Sequence, residues 1–369
     1  MALPDTDARP PKDDAAPGGA PAPGPSADYR KVVARSFGDA DVLAVERASP
    51  LPEPGEGEVR VRVEAAGTGY TDTIVRRGRY ALYKGGLPFT PGYDIAGVVD
   101  ALGAGVTQWE TGDRVCDMPV HGGHSEYLVR PAADLVRVPV GVDMLAAVEI
   151  PLMGVTAWQL LTRCVSLAPG STILVVGASG AVGRLLVLLG RILGLTVIGT
   201  SSGAKLGLVE RLGALALDYR RDDLRAAILS ASHGKGVDAA FDAVGGSSWE
   251  TSWAVLAKGG VLAGYGMQDF LESGAPSTEA MRSLEQFNTG WNEEGAADGT
   301  QRRTLFYDIN LRRAALPAEY RADAEHLLAL IDTGQLALPA PEVVALEDAA
   351  SAHRRIAGGD LHQRLVIRP

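Results

Sequence analysis

"ILVVGASGAVGRLLVLLG", residues 173–190, decides the fold. An apolar, β-branched run meets Gly177, Gly180 and Gly183, spaced three apart, and a second apolar run follows. The first run suits a buried strand. The second, with Arg184 and Arg191 among leucines, suits a helix. Gly177 permits the tight strand-to-helix turn, Gly180 has no side chain to block a pyrophosphate, and Gly183 lets the helix pack closely on the strand. Free N–H groups of the first helical turn then face the pyrophosphate. The spacing is GxxGxxG, which a glycine-rich turn in another α/β protein also shows, so the flanks must decide.

Downstream, "TVIGTSS", "LALDY", "VDAAFDAVG" and "VLAGYG" read as strands. Between them "AKLGLVERLGA", "DDLRAAILSAS" and "SWETSWAVLAKGG" read as helices. Repeated β-α alternation predicts a parallel, doubly wound sheet, and this favours the dinucleotide site. Upstream, short strands such as "RKVVARSFG", "GEVRVRVEAAG" and "SEYLVRPAADLVRVP" are punctuated by Gly and Pro and predict a barrel-like all-β region to Pro139. "MLAAVEIPLMGVTAWQLLTRCV" then reads as a helix with a proline break.

The second strand of the sheet selects the nucleotide. An NAD site places an Asp or Glu about 20 residues past the glycines to hold the ribose 2′-hydroxyl. No acid occurs between Arg184 and Val209; the strand ends instead in Ser201, Ser202 and, nearby, Lys205. Donors and a positive charge suit a 2′-phosphate, so NADPH is the expected cofactor. Lys205 as a solvated lysine at a helix start is the competing interpretation.

The chain has 369 residues, 46% of them apolar, with 45 glycines and a net charge of −10. It is long enough for two domains. The acidity argues against a nucleic-acid or membrane-surface partner. Cys116 and Cys164 form no metal or disulfide pattern, and no uncharged run is long enough to span a membrane, so a cytoplasmic protein is expected. Residues 1–27, rich in Pro, Ala and Gly, read as a disordered tail.

The chain resembles the medium-chain dehydrogenase/reductases, among them the zinc-free quinone oxidoreductases and enoyl reductases. The likeness runs from about residue 30 to the end, through "GTGYTDTIVRRGRY", "LPFTPGYDIAGVVDALGAGV", "GDRV", "GGHSEYLV", "VVGASGAVG", "VIGTSS", "RLGALALDYR", "FDAVGG" and "LAKGGVLAGYG". It implies an α/β fold in which a GroES-like β-barrel catalytic domain (28–154 and 317–369) carries an inserted Rossmann domain (155–316), with nicotinamide held between them. It further implies cofactor contacts at Gly177, Ser179, Gly180, Ala181, Val182, Gly183, Thr200, Ser201, Ser202 and Lys205. Tyr219 is expected near the 2′-phosphate. Val244, Gly264, Tyr265 and Gly266 are expected near the nicotinamide, the two glycines allowing its close approach.

Alcohol-dehydrogenase cousins place a zinc-ligating cysteine where this chain has Gly69 and a histidine where it has Tyr93. Losing two ligands removes a zinc Lewis acid, so no metal is expected, and His121 and His124 read as ordinary loop residues. Hydride from NADPH then suits an acceptor already electron-poor: a quinone, or an alkene conjugated to a carbonyl. Tyr70, Tyr80 and Tyr93 fall in the substrate-side segments, with Asp72 as a structural hydrogen-bonding residue. Tyr80 matches a tyrosine that enoyl-thioester reductases place near the reacting carbon; proton donor and aromatic cleft wall both remain open. The partner is a small electrophilic substrate, and a homodimer joined at "TLFYDINL" is expected. A dedicated enoyl-thioester or biosynthetic enoyl reductase is the enzymatic alternative; an NADPH-binding adaptor with weak activity is the non-enzymatic one. Residues 267–304 read as a long polar loop, in which Phe287 and Trp291 could face substrate or anchor the loop.

Overall fold

The computed structural model describes residues 27–80, 83, 85–273, 278–359 and 361–369. Residues 1–26 of the expected tail lie outside them. The strands are β1 (Tyr29–Ala34), β2 (Leu43–Ala48), β3 (Glu58–Gly67), β4 (Ile95–Leu102), β5 (Arg114–Asp117), β6 (Tyr127–Pro131), β7 (Val136–Arg137) and β8 (Thr172–Val175). They continue with β9 (Thr196–Ser201), β10 (Leu215–Asp218), β11 (Val237–Asp242), β12 (Leu256–Gly264), β13 (Arg303–Phe306), β14 (Glu342–Ala345) and β15 (Leu365–Arg368).

Six of them form one parallel sheet, in the order β10-β9-β8-β11-β12-β13. The order runs outward in both directions from the β8–β11 pair, and such a switch point opens a crevice at the strands' carboxyl ends. The glycine turn sits there. Ile173, Leu174 and Val175 are fully buried, because helices cover both faces of a parallel sheet.

The second sheet runs β14-β15-β3-β4-β5-β7, with β6 also on β3. Val366 of β15 pairs antiparallel with Gly67 of β3, so the chain's last strand completes the sheet begun near its start. This is the expected GroES-like and Rossmann combination. One hydrophobic core spans both regions, joining Tyr93, Cys116 and Val136 to Val175, Ala178 and Phe241.

The helix from Met144 to Cys164 crosses between them. Pro151 does not end it: Ile150–Gly154 widens into a π-turn, which accommodates the missing N–H. By length and composition this helix could cross a membrane, yet 72% of its apolar window is buried inside the protein. It is a core helix. Its Gln159 accepts from the Tyr307 hydroxyl (2.8 Å) and donates to Asp323 (2.7 Å), which also pairs with Arg163 (2.6 Å).

Two expectations need correction. The helix predicted through "SWETSWAVLAKGG" stops at Ala254, and β12 already begins at Leu256. Val255 and Leu256 are buried in the core shared with β11, so tertiary burial overrides the local pattern. Residues 267–304 are not a loop in their described part. They carry helices Gln268–Ser273, Thr278–Glu285 and Trp291–Ala297. Phe287 is fully buried, 4.1 Å from the Trp249 ring, and Trp291 stacks on Trp253 at 5.5 Å. These two aromatics anchor the segment to the sheet.

Candidate active site

After β8, Gly177 has φ +70°, the left-handed conformation that favours glycine. The Gly180 N–H donates to the Gly177 carbonyl (2.8 Å), closing the turn, and helix Ala181–Ile192 follows. A Cβ on Gly183 would lie 2.3 Å from the Gly177 oxygen and 2.9 Å from Ala178 Cα. Gly183→Ala is therefore expected to push helix and strand apart, costing about 1–3 kcal/mol and weakening nucleotide binding. Urea unfolding with a fluorescence titration checks both; unchanged values contradict the packing role.

The helix has no side-chain cap at Gly180, and Gly180 and Ala181 are exposed. Its first N–H groups thus face outward, as an anion site requires. Ser179 accepts from the Ser201 hydroxyl (2.7 Å), and Ala178 N–H donates to the Thr200 carbonyl (2.8 Å). The glycine turn and the end of β9 are therefore one surface. Val182 and Ser202 are half-buried beside it.

Lys205 lies after this strand end, but its ammonium donates to the Gly359 carbonyl near the chain terminus. Tyr219, half-exposed, has its N–H on the Ser201 carbonyl (3.1 Å) and the Arg220 guanidinium over its ring at 5.0 Å. Asp218 pairs in register with Ser201, and its Oδ1 accepts from Arg220 N–H (2.9 Å).

At the end of β11, buried Asp242 accepts from the Val244 and Gly245 N–H groups and from the Ser248 and Ser252 hydroxyls (2.7 and 2.9 Å). It holds the Val244 turn, and nothing in "FDAVGG" alone signals that role. Gly264 and Gly266 are glycine for a local reason. A Cβ at Gly264 would meet Phe287 at 2.8 Å, and one at Gly266 would meet the Ala243 carbonyl at 2.7 Å. Packing against Phe287 and the Ala243 backbone explains both without a ligand. Burial raises the Tyr265 phenol between them.

Tyr80, Tyr93 and Asn310 come together from three segments. Gly69 caps helix Tyr70–Arg76, its N–H held by Asp72 Oδ2 (2.8 Å). Asp72 Oδ1 accepts from Gly92 N–H (2.9 Å), so this buried carboxyl joins the Tyr70 helix to the turn before Tyr93. Burial pushes it up to about 7. Tyr80 and Tyr93 face one another with hydroxyls 3.3 Å apart. Asn310, from helix Ile309–Ala315, donates to Tyr93 (2.7 Å) and Tyr80 (3.4 Å). Burial raises both phenols. Tyr93 is 2% exposed; Tyr80 is half-buried and so keeps an open side. Arg79, next to Tyr80, donates to the Leu271 carbonyl (3.3 Å), placing helix Gln268–Ser273 beside this cluster.

Among the described residues no group of three or more His, Cys, Asp or Glu could hold a metal ion. His121 is exposed, edge-on to Tyr83. His124 is not a loop residue of the ordinary kind: it is fully buried, with Nε2 within 3.1 Å of the Thr68 hydroxyl.

The alcohol dehydrogenase GroES-like domain model matches residues 55–140, and the zinc-binding dehydrogenase model matches 212–367. A quinone oxidoreductase of Pseudomonas aeruginosa is 32% identical over 344 residues, 92% of this chain and 99% of that protein. The chain belongs to the quinone oxidoreductase family of medium-chain dehydrogenase/reductases. Another relative, a 2-haloacrylate reductase from a Burkholderia species, is 30% identical across 86% of this chain and 92% of its own length. A mycobacterial protein solved in complex with NADPH superimposes with a TM-score of 0.79 at 27% identity, covering 92% of this chain and all of that one. As a quinone oxidoreductase family member the chain keeps the glycine turn and both sheets.

Proposed function

We propose that the protein is an NADPH-dependent reductase that passes hydride to a quinone or to an alkene conjugated to a carbonyl. The observation that carries this is the uncapped glycine turn at the switch point, flush with a β9 end that presents half-buried Ser202 beside buried Ser201 and has no acid of its own. Bound there, NADPH supplies the hydride. The turn from Gly177 through Ser179 to Gly183 receives the pyrophosphate. Thr200, Ser201, Ser202, Lys205 and Tyr219 receive the 2′-phosphate end, with Lys205 exchanging its Gly359 carbonyl for phosphate. Val244 and Gly264–Gly266 line the nicotinamide end. Tyr70, Tyr80 and Tyr93 form the acceptor wall, where conjugation rather than a metal makes the acceptor electrophilic. The catalytic region comprises 28–154 and 317–369, and the nucleotide region 155–316.

The family resemblance and the quinone- and haloacrylate-reducing names of the relatives support this acceptor class. The proposed homodimer pairs β13 of two copies: β13 is the sheet's edge, and its Phe306 is 42% exposed.

NADPH consumption against quinones, enones and enoyl thioesters tests the assignment. Turnover of quinones or enones is expected. Turnover confined to enoyl thioesters selects the dedicated enoyl reductase. Tight NADPH binding with no turnover of any acceptor selects the adaptor and overturns the reductase.

A further inference from the structure

We propose that Asn310 is a positioning residue that aims the Tyr80 proton at the acceptor through Tyr93. The inference rests on the reductase assignment above and concerns which way a three-residue hydrogen-bond chain points.

An amide nitrogen only donates. With Asn310 Nδ2 at 2.7 Å from the Tyr93 oxygen and 3.4 Å from the Tyr80 oxygen, both hydroxyls accept from it. Tyr93 is 2% exposed, so its own hydrogen needs an acceptor inside the protein. Among the described residues the acceptor in reach is the Tyr80 oxygen at 3.3 Å. Tyr80 is then an acceptor on its inner side, and its hydrogen points to its open side. The chain runs one way: Asn310 to Tyr93 to Tyr80 to acceptor.

The first link is held firmly. Asp308 caps the Asn310 helix by accepting from the Asn310 and Leu311 N–H groups (2.8 and 3.1 Å). Arg313 of the same helix is tied to buried Asp117 of β5 (2.6 Å). Burial, with the Asp308 charge adding to it, keeps Tyr80 protonated until it is used.

In alkene reduction, hydride adds to the β-carbon and the alkene's π pair moves toward the carbonyl, giving an enolate. The Tyr80 O–H bond then breaks and a C–H bond forms at the α-carbon. The phenolate left behind keeps its donors from Tyr93 and Asn310, and water from the open side returns the proton. The acceptor gains one hydride and one proton, and the nicotinamide loses one hydride. A reduced quinone is a far weaker base and draws its proton from water, so the chain matters to alkenes alone.

Asn310→Asp tests the direction. It keeps shape but replaces the donor with an acceptor, so both tyrosines turn inward. kcat for an enone is expected to fall about 10- to 100-fold, the worth of one hydrogen bond to a charged oxygen. KM, quinone turnover and NADPH affinity by fluorescence stay near wild type. In D2O, wild-type enzyme labels one face of the α-carbon and the variant labels both. Tyr93→Phe cuts the middle link while keeping the ring; enone kcat is expected to fall about as far and the α-carbon label to reach both faces, should Asn310→Asp fold poorly. Unchanged enone turnover with single-face labelling overturns the inference, as does a loss shared equally by quinones. A wild type inactive on every acceptor instead overturns the reductase assignment itself.

Discussion

Tyr80→Phe is expected to lower kcat for an alkene acceptor by about 10²–10⁴-fold, the usual contribution of a positioned general acid, while quinone turnover barely changes. The substitution removes one oxygen and leaves the ring, so packing is kept. What it deletes is the outermost hydroxyl of the Asn310–Tyr93–Tyr80 chain. An enolate must be protonated on carbon, and without Tyr80 the proton comes from unplaced water. If Tyr80 were only an aromatic wall, Phe would be tolerated with both acceptors, and Tyr80→Ala would raise KM with both. Steady-state kinetics on an enone and a quinone in parallel separates the two roles.

The fold is expected to weaken sharply in mild acid. His124 and His353 are both fully buried, rings 5.6 Å apart and edge to face. His124 Nδ1 and both nitrogens of His353 have no hydrogen-bond partner. Burial holds His124 down to about 4 and His353 well below its ordinary value, with the neighbouring His124 and Arg76 adding to the latter. A histidine depressed in the fold contributes stability that is complete above its unfolded value, about 6.5, and is lost as pH falls toward the folded one. His124 alone therefore removes about 3 kcal/mol between pH 7 and pH 4, and His353 adds to it. His353→Leu fills the space without a polar ring. It is expected to hold or raise stability at neutral pH and to flatten the acid limb. Urea unfolding across this range checks it; a flat wild-type profile contradicts it.

Legibility followed sequence distance. The glycine turn, the five strands from β8 to β12 and the acid-free end of β9 are local patterns, and their physics is local: chain reversal, alternation, a missing carboxylate. The helices of 268–297 were missed because their polar surface hides a single buried seam, Phe287 and Trp291, whose partners Trp249 and Trp253 lie on another helix. Asn310 was invisible for a similar reason. "TLFYDINL" reads as one edge strand, but the strand ends at Phe306 and Asn310 lies on helix Ile309–Ala315, with partners 217 and 230 residues away. His124 reads as an ordinary loop residue in a glycine turn, yet it is fully buried, its ring edge-on to His353 of a distant helix. Charge and position single out Lys205 in the sequence, but its contact with the Gly359 carbonyl depends on the fold bringing the terminus across.

A paired fluorescence titration with NADPH and NADH reads whether the β9 end accepts a 2′-phosphate. NADPH is expected to bind at least about tenfold more tightly, and Lys205→Ala to close most of that gap, since a charge-assisted contact is worth about 1.5–3 kcal/mol. Equal affinity for the two nucleotides in the wild-type protein would mean that the β9 end holds no 2′-phosphate.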